Sequence, residues 1–230
     1  MLVCILLIFG ACHGVMGTDG TCDIPSDEAC NIPREVQGIE IPQTAEDVNR
    51  LCLETSQCLN CLKDYADKCG YKNVHQLFTE DFYQSLKDLV KNVCQNESRL
   101  HSTLVENISC ISESQEQFED DCGEDLSDKL ETLKEYIRKE RIEETHDDPN
   151  FTMELWMRMN CVTQSLAVSC FSSLVSRKCG MNARDAVVEV VARSKGLKQT
   201  CPPVIGEEIN ELLRVLNLGT EEQRLLAEIM

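Results

Sequence analysis

The chain has 230 residues, with 22 Lys and Arg against 40 Asp and Glu, a formal net charge of -18, and 15 cysteines. So acidic a surface repels phosphate backbones and anionic membranes, and nucleic acid is not an expected partner. Aromatic residues make up only 5% and glycines number 11, which disfavours a β-sandwich or a loop scaffold held by cystines alone; the length suffices for one domain to bury a core.

The N-terminus opens with the uncharged apolar run Leu2 to Cys12, followed by small residues. This is the layout of a secretory signal peptide, too short to span a bilayer. Residues 1–17 are expected to be removed after Gly17, with Gly14 as the other candidate site. Cys4 and Cys12 would leave with that leader, so thirteen cysteines remain in the mature chain. Such a number fits an oxidising compartment. Being odd, it predicts one cysteine that is free or bonds another chain, hence a possible dimer. Three Asn-x-Ser/Thr triplets, at Asn96, Asn107 and Asn150, are candidate N-glycosylation sites and are expected on the surface.

Residues 18–43 carry Cys22, Cys30 and the prolines Pro25, Pro33 and Pro42. They read as an extended arm that its two cysteines could pin to the body. A disulfide-rich helical domain is expected from 44 to 230. Thr44 is a plausible N-cap for a helix through Val48, Leu51 and Cys52. A second helix carries Cys58, Cys61, Leu62 and Tyr65 and stops at Lys68-Cys69-Gly70, where glycine takes the left-handed conformation without steric cost. Leu77, Phe78, Phe82, Leu86, Leu89, Val90 and Val93 trace an amphipathic helix opened near Thr79, and residues 98–118 continue with Leu100, Leu104, Ile108 and Ile111.

Between Glu113 and Asp148 lie fifteen acidic and five basic residues. Leu126, Leu130, Leu133 and Ile137 form one apolar stripe there, so the segment reads as a helix with a solvated acidic face. Asp125 with Lys129, and Glu135 with Lys139, have the favourable four-residue spacing. His146 to Asn150 is the expected hinge or exposed loop. Beyond it come Cys161, Cys170 and Cys179, a helix through Ala186, Val187, Val190 and Val191, the breaker Cys201-Pro202-Pro203, and the apolar residues Ile205, Ile209, Leu212, Leu213 and Leu216. A last helix follows Thr220, which with Gln223 has capping-box spacing. No alternating strand pattern is present, so the expected fold is all-α: one compact multi-helix bundle cross-linked by disulfides. Cys61-x7-Cys69-Gly70 echoes Cys170-x8-Cys179-Gly180, each with a later cysteine, Cys94 or Cys201. The spacings differ by one and by three, which leaves an internal duplication open.

The motifs argue against reactive chemistry. Cys58-Leu59-Asn60-Cys61 is a C-x-x-C, but redox enzymes set that pair after a strand, at a helix N-terminus where the dipole lowers the thiol pKa. Here helix pattern surrounds it. Structural zinc would need a second close pair or suitably spaced histidines, and the mature chain has only His75, His101 and His146. No G-x-S-x-G, H-E-x-x-H, glycine-rich phosphate loop or EF-hand layout occurs. No metal, cofactor or catalytic residue is therefore expected, and all thirteen cysteines, Cys22, Cys30, Cys52, Cys58, Cys61, Cys69, Cys94, Cys110, Cys122, Cys161, Cys170, Cys179 and Cys201, are disulfide candidates. A step of nine residues turns a helix through about 180°. Cys161 and Cys179 should thus share a face and Cys170 should bond a different layer. Cys58, Cys61 and Cys69 should share one face.

The pattern Cys161-x8-Cys170-x8-Cys179, then Ala183 and Cys201-Pro202, resembles the C-terminal part of the insect haemolymph glycoprotein family of small secreted helical proteins. Cys94-x15-Cys110-x11-Cys122 loosely resembles its middle cysteines, and the stretch from Cys22 to Cys69 does not align. The resemblance implies extracellular fluid and brings no catalytic or binding residues. The resulting expectation is a secreted, non-enzymatic binding or carrier protein for an apolar small molecule or a protein partner. The alternative is a secreted interaction protein or effector, such as a venom or salivary component, with an enzyme of unrecognised type behind both.

Overall fold

A computed structural model describes residues 22–30, 42–74, 78–140, 149–201, 216 and 218–229, and among these every regular element is a helix. The expected leader 1–17, the middle of the arm, His75, Leu77, His146 to Asp148 and the stretch from Pro202 through Leu213 lie outside the described residues. In chain order the helices are α1 (Ser26–Ala29), α2 (Ala45–Cys69), a 3-10 turn (Tyr71–Asn73), α3 (Glu80–Cys94), α4 (Arg99–Glu116), α5 (Phe118–Glu140), α6 (Pro149–Cys179), α7 (Met181–Ser194), α8 (Gly196–Thr200) and α9 (Thr220–Ile229).

Local sequence sets most of the boundaries. Thr44 Oγ1 accepts the Asp47 N–H at 3.1 Å and Asp47 Oδ2 accepts the Thr44 N–H at 3.2 Å, a closed capping box at the start of α2. The two helices expected between Thr44 and Gly70 are one helix of 25 residues. The intervening Thr55 and Ser56 are weak helix formers, but Thr55 is buried with Cys52, Cys58 and Leu59 on one face, and Ser56 Oγ donates to the Cys52 carbonyl within the helix. Burial of a continuous face outweighs a few tenths of a kcal/mol of propensity per residue.

Gly70 ends α2 with φ 92° and ψ 142°, and Gly180 ends α6 with φ 88° and ψ 171°. Both have the positive φ expected of a glycine stop. Their ψ values lie outside the left-handed helical basin, in a region that is essentially glycine's alone. The chain thus leaves each helix extended and turns straight into the next element.

Thr79 caps α3 through the Phe82 N–H, as expected. Ser98 caps α4, and Pro149 stands at the first position of α6, where its missing N–H is not needed. Residues 149 and 150, assigned to a loop from sequence, are therefore already the first turn of α6. At α9 the expected Thr220 cap is corrected. Gly219 holds that position and its N–H is accepted by the Glu222 carboxylate at 2.9 Å, while the Gln223 amide donates to the Leu218 carbonyl instead.

The helices pack into three contiguous cores. Leu133 of α5, Cys161, Val162, Leu166 and Val168 of α6, and Leu225 of α9 form one. Val48 and Leu59 of α2 meet Leu86, Leu89 and Val93 of α3 in another. Ile111 of α4 meets Phe171 and Val175 of α6 in the third. Helix α7 belongs to all three: Val188 and Val191 enter the first, Ala186 and Val190 the second, Ala183 and Val187 the third. It is the central element of the bundle. The acidic α5 follows its expected stripe, with Leu133 wholly buried and the Asp125–Lys129 pair formed at 2.8 Å. Lys129 also reaches Glu222 at 2.9 Å, which ties α9 to α5.

Among the described residues, six disulfides cross-link the bundle: Cys22–Cys69, Cys30–Cys61, Cys52–Cys94, Cys110–Cys179, Cys122–Cys170 and Cys161–Cys201. Their Cα separations run from 5.1 to 6.1 Å, inside the range a cystine accepts. Cys22 and Cys30 pin the N-terminal arm to α2, helped by the Tyr65 hydroxyl, which donates to the Ile24 carbonyl at 2.9 Å, and by Ser26 Oγ on the Val74 carbonyl. In both groups of six, the first cysteine pairs with the fifth, the second with the fourth and the third with the sixth.

Candidate functional site

The evenly spaced cysteines of α6 are staples. Cys170 bonds Cys122 of α5, whereas Cys179 bonds Cys110 of α4 and Cys161 bonds Cys201 beyond α8. The half-turn alternation therefore does send Cys170 to a helix of its own. Each of the three bonds a different element, so Cys161 and Cys179 share a face without sharing a partner helix.

Cys61 of the C-x-x-C bonds Cys30, not Cys58. A dithiol couple across the motif is thereby excluded, because one of its sulfurs is committed to the arm. Cys58 is buried and disulfide-bonded as well; the other twelve described cysteines pair among themselves.

The sequons separate. Asn96 is exposed in the short turn between α3 and α4, closed by the Ser98 N–H on the Gln95 carbonyl. Asn107 is half-buried within α4 rather than fully on the surface, and its amide donates to the Thr103 carbonyl one turn back at 2.8 Å. Asn150 falls in the first turn of α6, and its side chain is outside the described set.

Sequence reasoning identified no binding residues. The structure brings polar and charged residues together along the open face of α7. Ala183, Ala186, Val187, Val188, Val190 and Val191 all point into the cores, so solvent reaches this helix along Met181, Asn182, Asp185, Glu189, Ala192 and Arg193. Three open clefts border that strip. One, of about 760 Å³, is lined by Met181, Arg184, Asp185, Val188, Glu189, Ala192, Arg193 and, from α9, Arg224. A second, of about 400 Å³, shares Glu189 and Arg193 and adds Asn92, Gln95 and Arg99 from the α3–α4 corner. The third, of about 500 Å³, shares Met181 and reaches Asn107.

Charge in the largest cleft is organised in pairs. Arg184 Nη1 donates to Asp185 Oδ1 at 2.8 Å, and Arg193 Nη2 donates to Glu189 Oε1 at 2.6 Å. Arg184 is only 7% exposed although it is charged, and a charge is held that deep only by good partners. In the sequence Arg184 is one of three polar residues, with Asn182 and Asp185, ahead of an apolar run, which on its own says nothing about a cleft.

A separate ionic cluster joins α2 to α3. Lys63 Nζ lies 2.5 Å from Asp67 and 3.7 Å from Glu80, with the Tyr71 and Tyr83 ring centroids at 5.7 and 5.8 Å. The Asp67 hydrogen bond holds the Lys63 pKa well above its ordinary value, and the Tyr71 hydroxyl lowers that of Glu80. The Lys63–Glu80 pair ties α2 to α3.

Comparison with protein-family models, with characterised proteins and with solved structures finds no match to this chain. The likeness of its C-terminal cysteines to haemolymph glycoproteins therefore rests on those residues alone. Among the described residues, no helix is long and apolar enough to cross a membrane.

Proposed function

We propose that this chain is a secreted, disulfide-stabilised extracellular glycoprotein without catalytic activity, and that it binds a small molecule at the open face of α7. The observation that carries the reading is the convergence of three clefts on the one helix shared by all three cores. A site on such an element is pre-formed, because its backbone cannot move without disturbing the whole bundle. A volume of about 760 Å³ is within the range of small-molecule sites. The open, charged rim suits an amphipathic ligand better than the wholly apolar one expected from sequence. Secretion is supported by the cystines and the leader-like N-terminus.

The test is native mass spectrometry of the protein purified from its source fluid, repeated on an Ala192→Trp variant that fills the cleft. A co-purifying small molecule that the variant loses supports the reading. Absence of any ligand, or a ligand indifferent to the substitution, refutes it.

A further inference from the structure

We infer that Asn96 carries an N-linked glycan and that Asn107 stays bare. This rests on the reading of the chain as a secreted glycoprotein and names where its sugar is held. Both residues head a sequon, Asn96-Glu97-Ser98 and Asn107-Ile108-Ser109, so the triplets alone do not separate them. Their backbones do. Asn96 and Glu97 lie exposed between the end of α3 at Cys94 and the start of α4 at Arg99, in a turn closed by the Ser98 N–H on the Gln95 carbonyl at 2.8 Å. Asn107 stands halfway along the 18 residues of α4.

A transferring enzyme has to meet the asparagine amide and the hydroxyl two residues on together. Extended chain presents side chains i and i+2 on one side, whereas in a helix they stand about 200° apart and do not face each other. Reaching the Asn107 triplet therefore means unwinding the middle of α4. It breaks the hydrogen bond from the Asn107 amide to the Thr103 carbonyl and withdraws Ile108, only 9% exposed, from the core. Reaching the Asn96 triplet opens one turn hydrogen bond and the Ser98 cap on the Leu100 and His101 N–H groups.

The order of synthesis favours the same choice. Leu100 and Ile108 pack with Val48, Leu59, Leu86, Leu89 and Val93, all of which precede them in the chain. Helices wind within about 1 μs, against synthesis at about 5–20 residues per second, so α4 can form on the first half without waiting for the second. In the transfer, Asn96 Nδ2 attacks the anomeric carbon of a lipid-linked oligosaccharyl pyrophosphate. The Nδ2–C1 bond forms, the C1–O bond breaks with its electron pair on the departing pyrophosphate, and one Nδ2 proton leaves through a base of the enzyme to solvent. Gln95 and Glu97, on either side of Asn96, both line the cleft of about 400 Å³, so the sugar is rooted at its rim.

The experiment expresses the full chain in eukaryotic cells and treats the secreted protein with peptide N-glycosidase in heavy-oxygen water, which leaves an isotope-marked aspartate at every occupied asparagine. Peptide mass spectrometry then reads each site. Asn96 should be marked at least about tenfold more often than Asn107, which is reached only through local opening of α4. Glu97→Ile changes an exposed side chain and makes the two triplets identical, so the preference for Asn96 should survive it. Equal marking of the two sites, marking of Asn107 alone, or a preference lost in the Glu97→Ile protein would overturn the inference and leave the glycoprotein reading standing. No mark at any asparagine would overturn both.

Discussion

Residues 22–94 and 110–201 each hold three bridges in the same order, yet they are built from different parts. In both, a long helix carries three cysteines, Cys52, Cys61 and Cys69 on α2 and Cys161, Cys170 and Cys179 on α6, and both helices end in Cys-Gly with a positive φ at the glycine. Upstream they differ: the partners of α2 sit either side of the four-residue α1, while those of α6 sit on the long helices α4 and α5. Downstream, α3 is an ordinary amphipathic helix with one buried face, whereas α7 is buried on all sides but a strip. The shared part is the frame of staples and corner. The unequal parts decide that the second half supplies the centre of the molecule and its candidate site.

The frame can be broken at equivalent points. Replacing both cysteines of Cys122–Cys170 by Ser, or both of Cys30–Cys61, should cost roughly 4 kcal/mol each, since the bridges close loops of 48 and 31 residues. The chain-entropy difference between them is only about 0.4 kcal/mol. Urea denaturation would measure both; a much larger gap would mean that the long helices of the second half need their bridge for packing. Phe171→Ala removes a ring buried in the third core and set edge-on to Phe118 at 6.2 Å, with an expected loss of about 3 kcal/mol or more.

The corners provide a finer comparison. Gly70→Ala and Gly180→Ala should each cost about 1–3 kcal/mol from backbone conformation. At Gly180 nothing lies within 4 Å of an added Cβ, so the loss there is conformational alone, and thermal melts of the two variants should nearly coincide.

Smaller effects test the ends and the seams. Thr44→Ala should cost about 1 kcal/mol by removing the α2 cap. The Thr44 hydroxyl is also the first cause of the lowered Asp47 pKa, followed by the Gln43 and Thr44 amides and Arg50 against some desolvation. A carboxyl whose folded pKa is depressed stabilises the fold above its unfolded pKa, and that stabilisation disappears as pH falls through the folded one. NMR titration should find Asp47 protonating below the ordinary carboxylate range in the parent and nearer to it in the variant. Ser169 and Ser172 are buried hydroxyls with no hydrogen-bond partner among the described residues, so Ala at either should be neutral or stabilise by up to about 1 kcal/mol. Ser112 is the contrast, because it accepts the Gln43 amide at 2.6 Å and Ala there would remove that bond.

The likeness of the halves was only partly legible in the sequence. The Cys-Gly stops and the downstream Cys94 and Cys201 were visible. Dividing α2 at Thr55 separated Cys52 from Cys61 and hid a nine-residue step identical to that from Cys161 to Cys170. The helical class, the Thr44 and Thr79 caps and the stripe of α5 follow from local pattern, which is where sequence speaks most directly. Pairing depends on how helices are laid side by side, and for six cysteines fifteen arrangements are open. The cleft was invisible for a related reason: Arg184 and Arg224 are forty residues apart, and only the packing of α9 against α7 makes them neighbours.

The bridge order has a consequence for how the molecule is made. No described bridge joins a cysteine up to Cys94 with one from Cys110 onward, and within each half the inner bridge is nested inside the outer while the third crosses both. On the proposed secretory route, these three bridges of the first half can close before Cys110 emerges. The growing chain then need not sort all of its thiols at once; the seven from Cys22 to Cys94 can react before the six from Cys110 onward emerge.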